Sequence, residues 1–118
     1  MLTFSKQNRL LKRSDFLKCY GGGKRHYTSN FIVFVLPTRA EAWRLGLAVS
    51  RKVGGAVQRN RIKRLLREFF RLHQKRIPPG FDLAVVPKKS LKIDSLTYPA
   101  LEKEMLSLLT GLFRVVST

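Results

Sequence analysis

Apolar positions along the chain follow two rhythms, and the change between them marks the elements. Phe31-Ile32-Val33-Phe34-Val35-Leu36 is an unbroken run rich in β-branched and aromatic residues, stopped by Pro37. It reads as a strand covered on both faces. From Trp43 to Ser50, Leu45, Leu47 and Val49 alternate with Arg44, Gly46 and Ala48. That is a second strand, and the short polar link from Thr38 to Ala42 suggests that the two pair antiparallel. The rhythm then lengthens. Between Ala56 and Arg76, Ile62, Leu65, Leu66, Phe69, Leu72 and His73 recur at three and four residues, one face of a helix. Pro78-Pro79-Gly80 ends it. Phe81 to Val86 is a short third strand, stopped by Pro87. After a polar turn over Asp94 to Thr97, Leu101, Met105, Leu108 and Leu112 form the stripe of a last amphipathic helix.

The front of the chain is less regular. Residues 1 to 13 read as a polar, basic lead-in. Ser14 has the character of an N-cap and Asp15 that of a first-turn acid, so a short helix is predicted from Asp15 to about Tyr20, ended by Gly21-Gly22-Gly23. No repeat or second domain is apparent, so residues 1–118 are read as one domain. The order helix, two strands, long helix, strand, helix predicts an α/β (α+β) two-layer sandwich with one sheet.

Charge changes this picture from a fold to a partner. The chain carries 24 Lys and Arg against 7 Asp and Glu, a net charge of +17. Self-repulsion of that size opposes compaction, so a polyanion is expected to neutralise it. Nucleic acid is the first candidate and an anionic membrane surface the second. The run Phe31–Leu36 falls far short of the ~20 apolar residues of a spanning helix. Met1 to Leu11 lacks the long apolar stretch of a secretory signal. The lone Cys19 can form no internal disulfide and fits a reducing cytoplasm as a small packing residue.

The charge is concentrated opposite the apolar stripe of the long helix. Asn60, Lys63, Arg64, Arg67, Arg71 and Lys75 share that side, with Arg51 and Lys52 before the helix and Arg59 and Arg61 near its start. From Arg51 to Arg76 there are ten basic residues and one acid, Glu68. A charged stripe usually means a solvated face, but solvated faces mix signs to form i,i+4 pairs. Each like-charge pair at that spacing costs roughly 0.2–0.5 kcal/mol, which an RNA or DNA backbone would relieve. Arginine outnumbers lysine, and its planar fork suits phosphate and base stacking better than membrane adhesion. Phe16 and Tyr20, four apart, share a helix face, and Phe34 lies on the same strand side as Ile32 and Leu36. If the first helix packs on the sheet, these three aromatics line a groove on which unpaired bases can stack. The residues alone leave all three readable as ordinary core, Phe34 equally so.

Catalytic patterns are missing. The acids Asp15, Glu41, Glu68, Asp82, Asp94, Glu102 and Glu104 show no ligand-type spacing except Glu102 and Glu104, which point to different sides of a helix. His26 falls in a basic, glycine-rich loop and His73 on the apolar side of the long helix, a poor acid–base pair. No zinc spacing, nucleophile elbow or phosphate-binding loop occurs.

The stretch Gly46 to Arg71, GLAVSRKVGGAVQRNRIKRLLREFFR, with Arg59-Asn60-Arg61 and Ile62-Lys63-Arg64 at its centre, resembles the signature of the ribonuclease P protein family. Arg9-Leu10, Asp15-Phe16 and Tyr20, the strand Phe31–Leu36 and the end of the last helix near Leu112-Phe113-Arg114 are similar in order and spacing, so the likeness covers roughly residues 9 to 114. Gly55, Ala48 and Tyr20 depart from the commoner Asn, Ser and Phe. The resemblance implies a subunit of a ribonucleoprotein endonuclease in which RNA with bound Mg²⁺ removes the 5′ leader of precursor tRNA. The protein itself would hold no catalytic residue or cofactor. It implies that Arg51, Lys52, Arg59, Asn60, Arg61, Lys63, Arg64 and Arg67 bind the catalytic RNA, and that Phe16, Tyr20 and Phe34 line a cleft for the leader. It also implies a left-handed crossover between parallel strands, through the long helix, where handedness rules alone give the opposite. Neither DNA nor membrane is then a partner. Three rival readings are a ribosomal or other structural RNA-binding protein, a DNA reader using the long helix without the usual partner helix, and a self-sufficient ribonuclease using His26 and His73.

Overall fold

The computed structural model describes residues 8–10 and 12–113; the rest of the lead-in and Arg114 lie outside the described residues. Helix α1 spans Arg13–Gly22, β1 Lys24–Tyr27, β2 Phe31–Pro37, β3 Arg44–Leu47, α2 Ala56–Leu72, β4 Phe81–Pro87 and α3 Tyr98–Leu112. Single 3₁₀ turns follow β3 at Arg51–Val53, follow α2 at Gln74–Arg76 and precede α3 at Ile93–Ser95. The four strands form one mixed sheet in the order β1-β2-β4-β3.

Three features of this sheet differ from the expectation. β1 was read as loop. Its Lys-Arg-His-Tyr sequence has no apolar rhythm, and pairing with β2 makes it a strand. The strands β2 and β3 do not pair. β4 lies between them, antiparallel to β2 and parallel to β3. A long link through α2 can place β4 in the middle, which no local pattern reports. β3 is also shorter than the expected Trp43–Ser50. β3 and β4 are a parallel pair joined through α2, the strand pairing that the resemblance implied.

Helices cover both faces. Phe31, Val33 and Val35 of β2 and Leu83 and Val85 of β4 point to one side, where they pack with Ile62, Leu66, Phe69 and Phe70 of α2 and Leu101, Met105 and Leu109 of α3. The α2 stripe is turned from the predicted one. Phe70 is buried and Leu72 is 41% exposed, because α2 packs against α3 as well as the sheet. Leu109 likewise goes fully inside while Leu108 and Leu112 are half-buried. Among the described residues, the opposite sheet face carries α1 over a smaller cluster of Leu10, Cys19, Phe34 and Ala84. α1 begins earlier than predicted. Lys12, not Ser14, is its N-cap and makes no side-chain cap, while Gly21 and Gly22 continue the helix. Gln58 steadies the start of α2 by accepting the Gly55 N–H at 2.9 Å. The Thr97 hydroxyl accepts from Ala100 at the start of α3.

Candidate nucleic-acid interface

Arg25, Phe34, Ala84 and Gly46 stand in register across the four strands. Residues in register project to the same face, here the one under α1. The two small residues make room for rings. A Cβ at Gly46 would come within 2.5 Å of Phe16 Cε1 and Cζ and 2.9 Å of Leu10 Cβ. Phe16 therefore lies on the bare backbone of Gly46. One helical turn later, Tyr20 meets Phe34 edge-on, ring centroids 4.9 Å apart. The Arg25 guanidinium lies 5.4 Å from the Phe34 ring. Phe34 is only 8% exposed. It forms the floor beneath Tyr20 and Arg25, whereas Phe16 and Tyr20 are half-buried and form the wall.

The neighbouring register rows differ. On one side, Asp82 is buried and receives the Arg44 fork, Nε to Oδ1 at 2.9 Å and Nη2 to Oδ2 at 2.7 Å. Arg44 also reaches Asp15 of α1 at 3.4 Å, fastening the helix to the sheet. The carboxylates hold its guanidinium above its usual range. Cys19 is fully buried beside this cluster. Burial pushes its thiol up to about 11, with Asp82 adding to the rise. It is a packing residue, not a nucleophile. On the other side, Ile32 pairs with Val86 and with Tyr27, which is 60% exposed. Here Ile32 and Val86 are half-buried, and Lys88 Nζ lies 5.5 Å from the Tyr27 ring. Half-buried apolar side chains on this face are thus bordered by aromatic rings and by Arg25 and Lys88.

The outer face of α2 has different chemistry. Asn60, Arg64 and Arg67 are exposed, and Lys63 and Arg71 are half-buried. Glu68 hydrogen-bonds Arg71 within the helix, and that bond lowers its carboxyl from the usual range. Among the described residues no carboxylate pairs with Arg64 or Arg67. Arg51 and Lys52 are exposed on the turn after β3. The two surfaces meet at the β3 edge, where Arg9, Phe16, Lys63 and Arg67 ring a notch of about 200 Å³ floored by Leu10, Leu45 and Leu47.

Other titratable groups are occupied structurally. His73 packs on Phe69 and bonds Glu102 at 3.1 Å, while His26 lies on β1, where burial and Lys24 lower its pKa. Glu104 accepts from Thr28 and from the Asn30 backbone and side chain, closing the β1–β2 turn. Among the described residues no group of three His, Cys, Asp or Glu could hold a metal ion, and no helix is long and apolar enough to cross a membrane.

A model of the family Ribonuclease P matches residues 4–112. The chain belongs to the ribonuclease P protein family. The ribonuclease P protein component of Oleidesulfovibrio alaskensis is 50% identical over 107 residues, covering 89% of this chain and 86% of that one. That of Desulfovibrio desulfuricans is 46% identical over 111 residues, covering 92% and 85%. Among solved structures, the RNase P protein from Thermotoga maritima superposes with a TM-score of 0.80 at 36% identity, covering 87% of this chain and 96% of that one. The RNase P protein of Staphylococcus aureus does so with 0.79 at 29%, covering 89% and 94%.

Within this ribonuclease P protein, the residues singled out from sequence fall into groups. Phe16 and Tyr20 share the α1 wall, and Phe34 lies beneath them. Asn60, Lys63, Arg64 and Arg67 share the α2 face. Arg59 is half-buried, and its buried Nε has no hydrogen-bond partner among the described residues. Arg61 turns away, donating to the carbonyls of Ile93 and Leu96. Sequence reasoning missed Arg25, Tyr27 and Lys88 on the cleft. The first two sit on the strand it did not find. Their basic–aromatic alternation was the available signal. The commoner Asn is replaced by Gly55, whose backbone N–H is capped by Gln58 regardless of side chain.

Proposed function

We propose that this member of the family serves as the protein subunit of a ribonuclease P holoenzyme in which RNA performs the cleavage. The α2 face, with Arg51, Lys52, Asn60, Lys63, Arg64 and Arg67, binds the catalytic RNA. The cleft of Phe16, Tyr20 and Phe34, extended by Arg25 and Tyr27, binds the 5′ leader of precursor tRNA. The observation that carries this reading is the meeting of two chemically different surfaces at the notch beside Phe16, Lys63 and Arg67. An acid-poor arginine face suits the phosphates of a folded RNA, which needs no base reading. A cleft with an apolar floor, ring walls and Arg25 and Lys88 at the rim suits unpaired nucleotides. One small protein can then hold leader and catalyst together, which lowers the entropy of bringing them into one site. By reducing phosphate repulsion between the two RNAs, it lowers the Mg²⁺ they need.

Mg²⁺ held by the RNA would supply activation of water and stabilisation of the leaving oxygen. The protein's side chains neutralise, position and stack. Proton transfer is left to the RNA site, since His73, Asp15, Glu68, Asp82, Glu102 and Glu104 are bound up in the fold. The reading places the protein in the cytoplasm, with catalytic RNA and precursor tRNA as partners.

The test is cleavage of a precursor tRNA by a bacterial ribonuclease P RNA at low Mg²⁺, with and without the protein. Cleavage that requires the RNA and rises strongly with the protein is expected. No stimulation with a well-matched RNA would remove this reading and leave a structural RNA-binding protein.

A further inference from the structure

Arg61 is the second arginine of Arg59-Asn60-Arg61, yet its guanidinium faces the protein. Nη1 donates to the Ile93 carbonyl at 3.0 Å and Nη2 to the Leu96 carbonyl at 2.5 Å. These two carbonyls flank the 3₁₀ turn before α3. The Ile93 carbonyl also accepts the Leu96 N–H at 3.1 Å. A planar fork with two parallel donors can span such a pair, and a lysine, a single point charge on a flexible stem, cannot. We propose that Arg61 is a positioning residue that pins the 88–97 loop to the first turns of α2, so that lysines of that loop, rather than Arg61, meet RNA.

The loop's attachments explain why the pin matters. At its near end the Lys88 N–H donates to the Asn30 carbonyl at 2.8 Å. At its far end hangs the Arg61 fork, with Ile93 and Leu96 buried beside it. Between them Lys89 and Lys92 are exposed. Lys88 and Lys89 face Lys52 across a cavity of about 510 Å³ whose floor includes Val86 and Leu91. Like charges on both walls push the loop outward, so an anchor is needed to hold the lysines beside this cavity before RNA arrives. Preorganisation of this kind raises affinity without adding a contact.

The inference rests on the RNA-binding reading above, and one arm of its test does not. In the free full-length protein, Arg61→Lys should speed amide exchange at Leu91, Ser95 and Leu96 by roughly tenfold or more and leave β2 and β4 unchanged, a local opening. For precursor tRNA with a leader, the same variant should lose about three- to tenfold in affinity although its charge is conserved, with the salt slope unaltered. In a Lys88→Ala/Lys89→Ala background that loss should vanish, because Arg61 acts through those lysines. Should Arg61→Lys fail to fold, hindered rotation of the Arg61 guanidinium in the wild type, read by ¹⁵N NMR, is the expected result. A freely rotating guanidinium would overturn the proposal. So would an Arg61→Lys protein with wild-type exchange and affinity beside an Arg61→Gln protein whose salt slope falls by about one phosphate. Wild-type protein that binds no RNA would defeat the underlying reading while the exchange arm still judged the pin.

Discussion

Gly46→Ala tests the link between sheet packing and the cleft. The added Cβ would stand 2.5 Å from the Phe16 ring and 2.9 Å from Leu10 Cβ. Ordinary carbon contacts lie near 3.5–4.0 Å, so the ring must retreat by at least about 1 Å. The Tyr20–Phe34 contact and the Arg44–Asp15 pair hold α1 in place, which blocks easy relaxation. Overpacking of this kind costs about 1–3 kcal/mol. Alanine's lower unfolded-state entropy returns roughly 0.5–1 kcal/mol, since Gly46 does not have a positive φ. A net loss of about 1–2 kcal/mol remains, or roughly 4–10 °C in melting temperature for a chain of this size. Gly21→Ala is the control. Nothing lies within 4 Å of a Cβ there, and it sits in α1, so it should raise stability by up to about 0.5–1 kcal/mol. Urea and thermal unfolding of Gly46→Ala, Phe16→Ala and the double variant close the cycle. In the Phe16→Ala background the cost should fall to the smaller part owed to Leu10 Cβ. If Gly46→Ala melts with the wild type, or its cost is undiminished without the Phe16 ring, the placement of Phe16 on Gly46 is wrong.

Other consequences are checked separately. Arg44→Met strands the buried Asp82 charge and should cost about 3–5 kcal/mol in urea unfolding, whereas Asp82→Asn should cost less because Arg44 keeps 30% of its side chain in water. Equal costs would contradict the assigned burial. Native Cys19 should alkylate roughly 100-fold more slowly than an unfolded thiol near pH 8, from the rise of its pKa from 9.0 to about 11. Folding favours the protonated thiol, so the unfolded state binds fewer protons between those values. Stability should therefore fall as pH rises from about 9 to about 11. Arg64→Ala should weaken catalytic-RNA binding and reduce its log–log salt slope by about 0.7–0.9. Phe16→Ala should weaken precursor binding by about 1–3 kcal/mol with the slope unchanged. Identical signatures for the two would merge the two surfaces into one.

Much of this protein was legible one element at a time. The six-residue run of β2, the 3.6-residue rhythm of α2 and α3 and the proline stops each report a local choice, so their existence could be read from neighbours in sequence. The charge of the α2 face could be read in the same way, because its residues are three and four apart. What lay beyond the sequence pattern depends on distant partners. Lys24–Tyr27 becomes a strand because β2 offers an edge, and that strand then lays Arg25 over Phe34 and turns a candidate platform into a floor. β4 enters between β2 and β3 because α2 carries the chain across the sheet, and only that order aligns Phe34, Ala84 and Gly46 beneath α1. Phe70 is buried and Leu72 exposed because α2 has a second neighbour in α3. Arg61 has the charge of an RNA contact and the spacing of one. Two carbonyls more than thirty residues away give it a partner inside the fold. Sequence thus determined the three helices, the strands other than β1 and where the positive charge collects, since these follow from local periodicity. Tertiary structure decided which charges and rings remain free for RNA, because burial and pairing are set by segments that meet only when the chain closes.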